Sequence, residues 1–540
     1  MQRIGVFGWG IVAPRSPDID AFAANLESSE SWLSPFDGFG PNNFLVGVPE
    51  LDFKRYQSWV EKRFPPNRFP QLENKMDLPT KYAVAAFVQA LGQNPGLEAE
   101  LQSLGSRAHV YIGTGLGNLH TYYEQSLVLH RAQHRWDRFW AQPERNPALA
   151  AHLDGSAPVA EAPRPPAEVA EDERPEAEAT WDHFWAGRSA ALEEYLEELK
   201  EIEGLSVEGD PNKGKMRQMK EKGRRKARLD EKWGAPPAPW ASVSANVIWN
   251  IHNTPAAQIS MLGKITGLAF APVAACSTFA VSLKLAMDAI QRGEARAVVV
   301  GATDPPPHPL VVGAFYAGRV ISGDGAVSKP LGGLRGTHVS GGAAMWIVGD
   351  YDYMTERGFE PLGMEPVAVG VSSDADHIIT PSEEGPTQAV LQAIAAAGIE
   401  PDDVVSWDLH ATATPGDHQE VANLRKLIHH PVVVSARKGT FGHGMAASGG
   451  WELTAQYLGY QNGHLYPTPL TREELNPAIA DLHEVFVFDR ACNPPRGPVG
   501  KMSMGIGGIN ACVISQPLSP ASAGGDRAPA GDSTGESAGG

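Results

Sequence analysis

At 540 residues, with 42% hydrophobic and 20% charged side chains, the chain can fold as two or more domains or as one large domain with insertions, and disorder does not dominate it. A formal net charge of −18 argues against general nucleic-acid binding, which needs surplus lysine and arginine to neutralise phosphates. Cys276, Cys492 and Cys512 show neither CxxC spacing nor a companion histidine pattern, so no metal site is expected and a reducing compartment fits best.

The opening, MQRIGVFGWGIVAP, lacks the charged start and longer apolar core of a signal peptide, and no later run approaches membrane-spanning length, so a cytoplasmic protein is expected. Arg3 to Val12 reads as an apolar strand, and His109 to Ile112 as a second strand entering the turn GTGLGN. Gly113, Gly115 and Gly117 miss the GxGxxG spacing, and no acidic residue closes a second strand about 20 residues on, which excludes a dinucleotide loop.

Composition changes near Tyr122 and returns near Pro237, marking an insertion of about residues 122–236. Its stretch DGSAPVAEAPRPPAEVAEDERPEAEA, Asp154 to Ala179, carries little apolar surface and is expected to be a flexible linker. WDRFWA (Trp136 to Ala141) and WDHFWA (Trp181 to Ala186) flank it and read as packed faces of two amphipathic helices. Positive charge then concentrates between Lys213 and Lys232. Such runs are ordinarily solvated helix faces, and the contrast with the acidic remainder makes an anionic partner the alternative.

From Ser242 the texture is α/β: strand-like AFAPVAA, a helix from Ser277 to Arg292, then the buried strand ARAVVVGA. The second half repeats this rhythm. A helix, PTQAVLQAIAAAG, has Pro386 near its start and Gly398 as its stop; the strand VVSWDL precedes His410, and PVVVSARKG precedes His443. The Ser/Gly/Ala/Pro-rich tail after Pro517 is expected to be disordered.

Burial is the ordinary fate of a free cysteine. In VAACSTF, however, Cys276 stands between a strand and a helix whose Phe279, Leu283, Met287 and Ile290 share a core-facing stripe. The positive end of that helix dipole is expected to lower the thiol pKa and favour the nucleophilic thiolate. His410, in LHATATPGDHQE, and His443, in SARKGTFGHGMAASGG, occupy comparable strand-to-loop positions. Helix-start amides around His443 would hold its imidazole neutral and donating.

AACST, HATATPGDHQE, KGTFGHGMAASG and MSMGIGGIN, in this order, resemble the motifs of the β-ketoacyl-acyl-carrier-protein synthases of the elongating type, in the thiolase-like superfamily; GVSSDADHIITPSEEG resembles a further internal stretch. The resemblance implies an α/β fold with thiolase-like αβαβα layers built from two pseudo-symmetric halves. Residues 1–355 would carry the nucleophile and a helical, partly disordered insertion, residues 356–517 both histidines, and residues 518–540 the tail. It further implies that Cys276 is the acylated nucleophile and that His410 and His443 stabilise the enolate left by decarboxylation. Lys438 and Glu420 would form a buried pair, Thr412 and Thr414 would bind the phosphopantetheine arm, and amides at Cys276 and near Ile506 would form the oxyanion hole. The partners implied are an acyl carrier protein and a second subunit, as a homodimer or as a heterodimer with a related chain; no tightly bound cofactor is implied.

The chain departs from the family where one residue is missing between Pro415 and Gly416, which brings Glu420 one position nearer His410. Met504 and Ile506 replace phenylalanines in the late loop, which alters the gate to the acyl pocket. GGAAM, Gly341 to Met345, lacks the family's acid. Two alternatives stand beside the condensing enzyme: a chain-length-shaping partner subunit, and a coenzyme A-dependent thiolase-like enzyme for which Cys512 would be the second cysteine.

Overall fold

The computed structural model describes residues 2–207, 211–378, 382–482 and 484–518, without the side chains of 211–213. The expected disordered tail lies, beyond Leu518, outside the described residues. The chain divides into two compact units, one made of residues up to Leu119 and from Trp249 on, the other of His120–Ile248.

Among the described residues the first unit holds two large sheets, besides a two-stranded pairing of Ser34–Pro35 with Leu45–Val46. One contains β1 (Ile4–Val12), β2 (Ala108–Gly113), β3 (Ala269–Phe270), β4 (Ala297–Asp304) and β5 (Gly342–Asp350) in the order β1-β5-β4-β2-β3. The other contains β6 (Met364–Ser373), β7 (Ser406–Asp408), β8 (Val433–Ser435), β9 (Val485–Phe486), β10 (Val499–Gly505) and β11 (Ile509–Pro517) in the order β6-β11-β10-β7-β8-β9. In both, the first two neighbouring pairs are antiparallel and the next two parallel. The second sheet therefore repeats the first and adds β9 at its edge. This is the pseudo-symmetry implied by the resemblance.

The strands are long apolar runs because helices cover both faces. Val298 and Val300 of β4 point to the central layer, formed by α3 (Thr278–Gln291) and α6 (Ser448–Asn462), while Val299 points to the outer helices α1 (Leu78–Gly92) and α2 (Thr254–Gly263). In β11, Ala511 and Val513 face the centre, whereas Cys512 and Ile514 face α4 (Glu384–Ala397) and α5 (Gly416–Leu427). The order of layers is αβαβα. Helix α6 is buried over every residue from Ser448 to Gly459, as a helix between two sheets must be. Gly398, at φ +68°, ends α4 where the sequence placed the stop. Of the strand-like AFAPVAA, only Ala269–Phe270 pairs; the rest is the irregular approach to Cys276.

The second unit is helical. Trp136 and Trp140, on the helix Leu119–Trp140, pack edge-on with one another and with Tyr195 and Trp233. Trp181 and Trp185, on Arg174–Ala186, form a second cluster with Leu149. Both WD-aromatic segments are thus packed faces, as expected. The flexible-linker expectation is corrected: from Arg174 the stretch is helical, and Val159 and Ala162 pack on the second tryptophan cluster, apolar contacts that composition averaged away. The basic segment forms the helix Pro211–Trp233, where Lys222 pairs with Glu203 and Lys232 with Glu198 in the manner of a solvated face. Among the described residues no helix is long and apolar enough to cross a membrane.

The outer helices lie on glycines at equivalent places in the two halves. A Cβ at Gly10 in β1 would overlap the Ala86 carbonyl of α1, and one at Gly370 in β6 the Ala389 carbonyl of α4. Gly370→Ala is expected to lose about 1–3 kcal/mol by overpacking, measured by urea unfolding. An unchanged midpoint would show that α4 can retreat from the sheet.

Candidate active site

Cys276 lies in the short 3-10 turn Ala275–Ser277 that leads into α3. Ala275 sits at φ +47°, a strained conformation for a residue with a Cβ, and three contacts hold it there. Thr278 Oγ1 donates to the Ala275 carbonyl at 2.7 Å, the Ala274 amide donates to Thr278 Oγ1 at 2.9 Å, and Ser277 Oγ donates to the Ile509 carbonyl at 2.7 Å. The last bond ties the turn to β11 in the other half of the fold.

The expectation of a depressed thiol pKa is corrected. Burial pushes Cys276 up to about 11, against the opposing pull of the Ile506 amide, the Lys438 charge and the cysteine's own amide. Desolvation outweighs the helix terminus because Cys276 is 6% exposed and sits in the turn ahead of α3. At neutral pH Cys276 is a thiol. The amides of Ile506 and Cys276, expected to form the oxyanion hole, are the two backbone groups that favour negative charge at this sulfur.

His410 follows β7, and His443 follows the helical turn Lys438–Phe441; the rings lie 5.4 Å apart at 80°. Burial, then the positive charge of Lys438, hold both imidazoles well below their ordinary pKa, and Lys501 adds to this. Lys438 Nζ donates to the His410 carbonyl and lies 3.4 Å from His410 Nδ1. An ammonium only donates, so Nδ1 is the acceptor and the ring proton sits on Nε2. The Nδ1 of His443 has no hydrogen-bond partner among the described residues.

The Lys438–Glu420 pair implied by the resemblance is also corrected. Lys438 Nζ donates instead to Glu452 Oε1 of α6 at 2.6 Å, with both side chains 1% exposed. Glu420 accepts from the His410 and Ala411 amides at 2.7 and 2.9 Å, and burial raises it to about 7 against these bonds. Its carboxyl thus shapes the backbone that carries His410. The shortened turn is closed by Asp417, which accepts from Thr412, Ala413 and Thr414 amides at 2.8, 3.1 and 3.3 Å. Thr412 and Thr414 bring their hydroxyls within 3.1 Å of one another.

Asp304, at the end of β4, was not singled out by its sequence context. It accepts from Gly115 and Leu116 of the GTGLGN turn at 2.9 and 2.7 Å and from Ala446, beside the His443 loop, at 2.7 Å. Burial raises it to about 7. An acid closing the apolar run of the strand AVVVGATD, whose residues are all buried, is the signal that marks it.

A cavity of about 530 Å³ joins these parts: Cys276, His410, His443, Thr412, Thr414, Met504 and Ile506 all line it. Lys438, Glu420 and Glu452 therefore differ in place. Glu420 also borders the cavity, whereas Lys438 and Glu452 stand behind the imidazoles. Cys512 is fully buried in the sheet's outer core, packed among apolar side chains away from this lining.

The family model for the β-ketoacyl synthase N-terminal domain matches residues 222–352, and that for the C-terminal domain residues 365–471. Nodulation protein E of Rhizobium meliloti is 30% identical over 223 residues, 40% of this chain and 55% of that protein. 3-Oxoacyl-(acyl-carrier-protein) synthase 2 of Staphylococcus aureus is 32% identical over 208 residues, 37% of this chain and 51% of that protein. The chain matches about half the length of these curated relatives. A β-ketoacyl synthase from Burkholderia phymatum (TM-score 0.66, 18% identity) and the ishigamide ketosynthase/chain length factor (TM-score 0.65, 18% identity) share the fold over 96% of this chain and 100% of theirs. Over residues 222–352 and 365–471 the chain is similar to the β-ketoacyl synthases, and it shares the thiolase-like fold of the solved ketosynthases.

With its thiol pushed up to about 11, Cys276 is expected to react slowly with iodoacetamide at neutral pH and ever faster beyond pH 9, followed by mass mapping. A rate that reaches its plateau below pH 8 would contradict the burial argument.

Proposed function

We propose that the protein is a decarboxylating condensing enzyme, which joins an acyl group held on Cys276 to a malonyl unit carried by an acyl carrier protein. The observation that carries this reading is the single cavity in which Cys276 meets two neutral imidazoles. In the first step the Cys276 sulfur attacks the thioester carbonyl of an acyl carrier. The oxygen takes its charge beside the Cys276 and Ile506 amides, the carrier thiol leaves with the proton given up by Cys276, and an acyl-enzyme remains.

Malonyl carrier then enters along Thr412 and Thr414, whose hydroxyls suit the amide groups of a phosphopantetheine arm. Loss of carbon dioxide places the electron pair on the thioester as an enolate. The Nε2–H of His410, with the neutral ring of His443 beside it, donates to the enolate oxygen. A neutral donor suits this task, because an imidazolium would protonate the enolate carbon's electron pair before it could form the new bond. The enolate attacks the acyl carbonyl, the carbon–sulfur bond breaks, and the Cys276 thiolate recovers a proton. The product is a β-ketoacyl carrier thioester in fatty-acid, polyketide or polyene-type biosynthesis.

Met504 and Ile506 shape the cavity wall at the place of the family's phenylalanines, so they are the residues assigned to acyl-chain choice. The buried Cys512 speaks against the thiolase alternative, which needs a second cysteine at the reacting atoms. A cytoplasmic dimer completes the reading, with a related chain as the other possible subunit. No bound cofactor is required, since the carrier arm brings both substrates.

The test is incubation with acyl and malonyl carrier proteins, followed by intact mass. Wild-type protein is expected to gain one acyl group and to release a chain extended by two carbons. Cys276→Ala is expected to lose acylation while retaining slow malonyl decarboxylation; an acylated Cys276→Ala protein would overturn the nucleophile assignment.

A further inference from the structure

Behind the imidazoles lie three charged side chains that the chemistry above does not use: Asp408 at the end of β7, Arg437 after β8 and Lys501 in β10. Arg437 is 1% exposed, the other two 0%. Asp408 and Lys501 are register partners on neighbouring parallel strands, which sets their side chains side by side. Strand alternation sends Met502 to the outer core and Lys501 toward Glu452 of the central helix α6.

The result is one row of alternating sign. Arg437 Nε donates to Asp408 Oδ2 at 2.8 Å, and Lys501 Nζ stands 3.8 Å from Asp408 Oδ1 and 2.7 Å from Glu452 Oε2. The other oxygen of Glu452 takes Lys438 at 2.6 Å, and Lys438 ends the row against His410. Lys501 also donates to the Leu409 carbonyl, one residue before His410, at 3.4 Å.

We propose that Lys501 is a positioning residue of the condensing site: through Glu452 it holds Lys438 against His410 Nδ1 and so fixes the Nε2–H tautomer on the cavity side. The proposal rests on the condensing-enzyme reading given above. A carboxylate gripped at one oxygen can turn about its side chain. With one oxygen hydrogen-bonded by Lys438 and the other in an ion pair with Lys501 from a different element, its rotation is restricted, and so is the position of Lys438. Lys501 keeps its proton in this place: burial opposes the charge, but Glu452 and Asp408 outweigh it. The row carries three formal cations and two anions, and the surplus positive charge disfavours a protonated ring at either histidine.

The groups that face the two rings come from every element around them. Of these, Lys438 after β8 and Lys501 from β10 act on both rings and Glu420 from α5 holds the His410 amide, while Arg437, Asp408 from β7, Glu452 from α6, Asp417 from α5, Asp304 from β4 and the Cys276 thiol are the other titratable groups packed around the site. Lys501 and Asp408 can each be neutralised at nearly constant volume, with opposite effects on the field at the rings.

The experiment is the pH profile of kcat for chain extension in wild type, Lys501→Met and Asp408→Asn, with Cys276 acylation followed by mass in parallel. Removing the Lys501 charge is expected to lower kcat at least tenfold and to move the acid limb to higher pH by about one unit, while removing the Asp408 charge moves it to lower pH. Lys501→Arg is expected to restore the wild-type limb. Limbs identical to wild type in both neutralised variants would overturn the proposal, and if Lys501→Met does not fold, the Asp408→Asn limb decides alone. Wild-type protein that takes no acyl group refutes the condensing-enzyme reading itself, a failure visible before any variant is compared.

Discussion

The ammonium of Lys438 lies in the dry space between two sheets, against a histidine that must stay neutral. A buried cation is costly unless it is paired and hydrogen-bonded, so the arrangement stands only because Glu452 reaches it from α6. Glu452 is in place because α6 is packed on all sides between the sheets. The layered fold and the protonation state of the site are in this way one problem. A small displacement of the central helix would unpair a charge, and the imidazole beside it would change state.

The same dryness governs Cys276. Cys276 is held as a thiol, and the strain at Ala275 aims the sulfur at the space shared with His410 and His443. A resting thiolate would be open to alkylation and oxidation, from which a buried thiol is protected. Asp304 serves the geometry from the other side. By gathering amides from the GTGLGN turn and from Ala446 it joins the first half of the fold to the loop that carries His443. The two halves meet around the cavity through hydrogen bonds as well as packing.

Much of this was legible in the sequence. The strands before His410 and His443, the helix after Cys276 and the stop at Gly398 follow from local pattern, and the motifs around these residues pointed to a common cavity. Local signals ended where the partners were set by the third dimension. The family resemblance makes Glu420 the partner of Lys438, but α5 turns its carboxyl to backbone amides while α6 delivers Glu452. Nothing in SGGWELTAQY marks that glutamate, and Lys501 in GPVGKMSMG reads as one polar residue in a strand. The thiol pKa failed for a related reason: a helix terminus is visible in sequence, and the loss of solvent around the sulfur is not.

The neutral, Nε2-protonated state of His410 is the claim on which the chemistry turns, and it can be observed directly by nitrogen-15 NMR of the histidine-labelled protein at pH 6. The expected spectrum shows His410 as a neutral ring with an unprotonated, hydrogen-bonded Nδ1 and a proton on Nε2. An imidazolium, or a neutral ring with its proton on Nδ1, would contradict the placement of Lys438 and with it the proposed enolate donor.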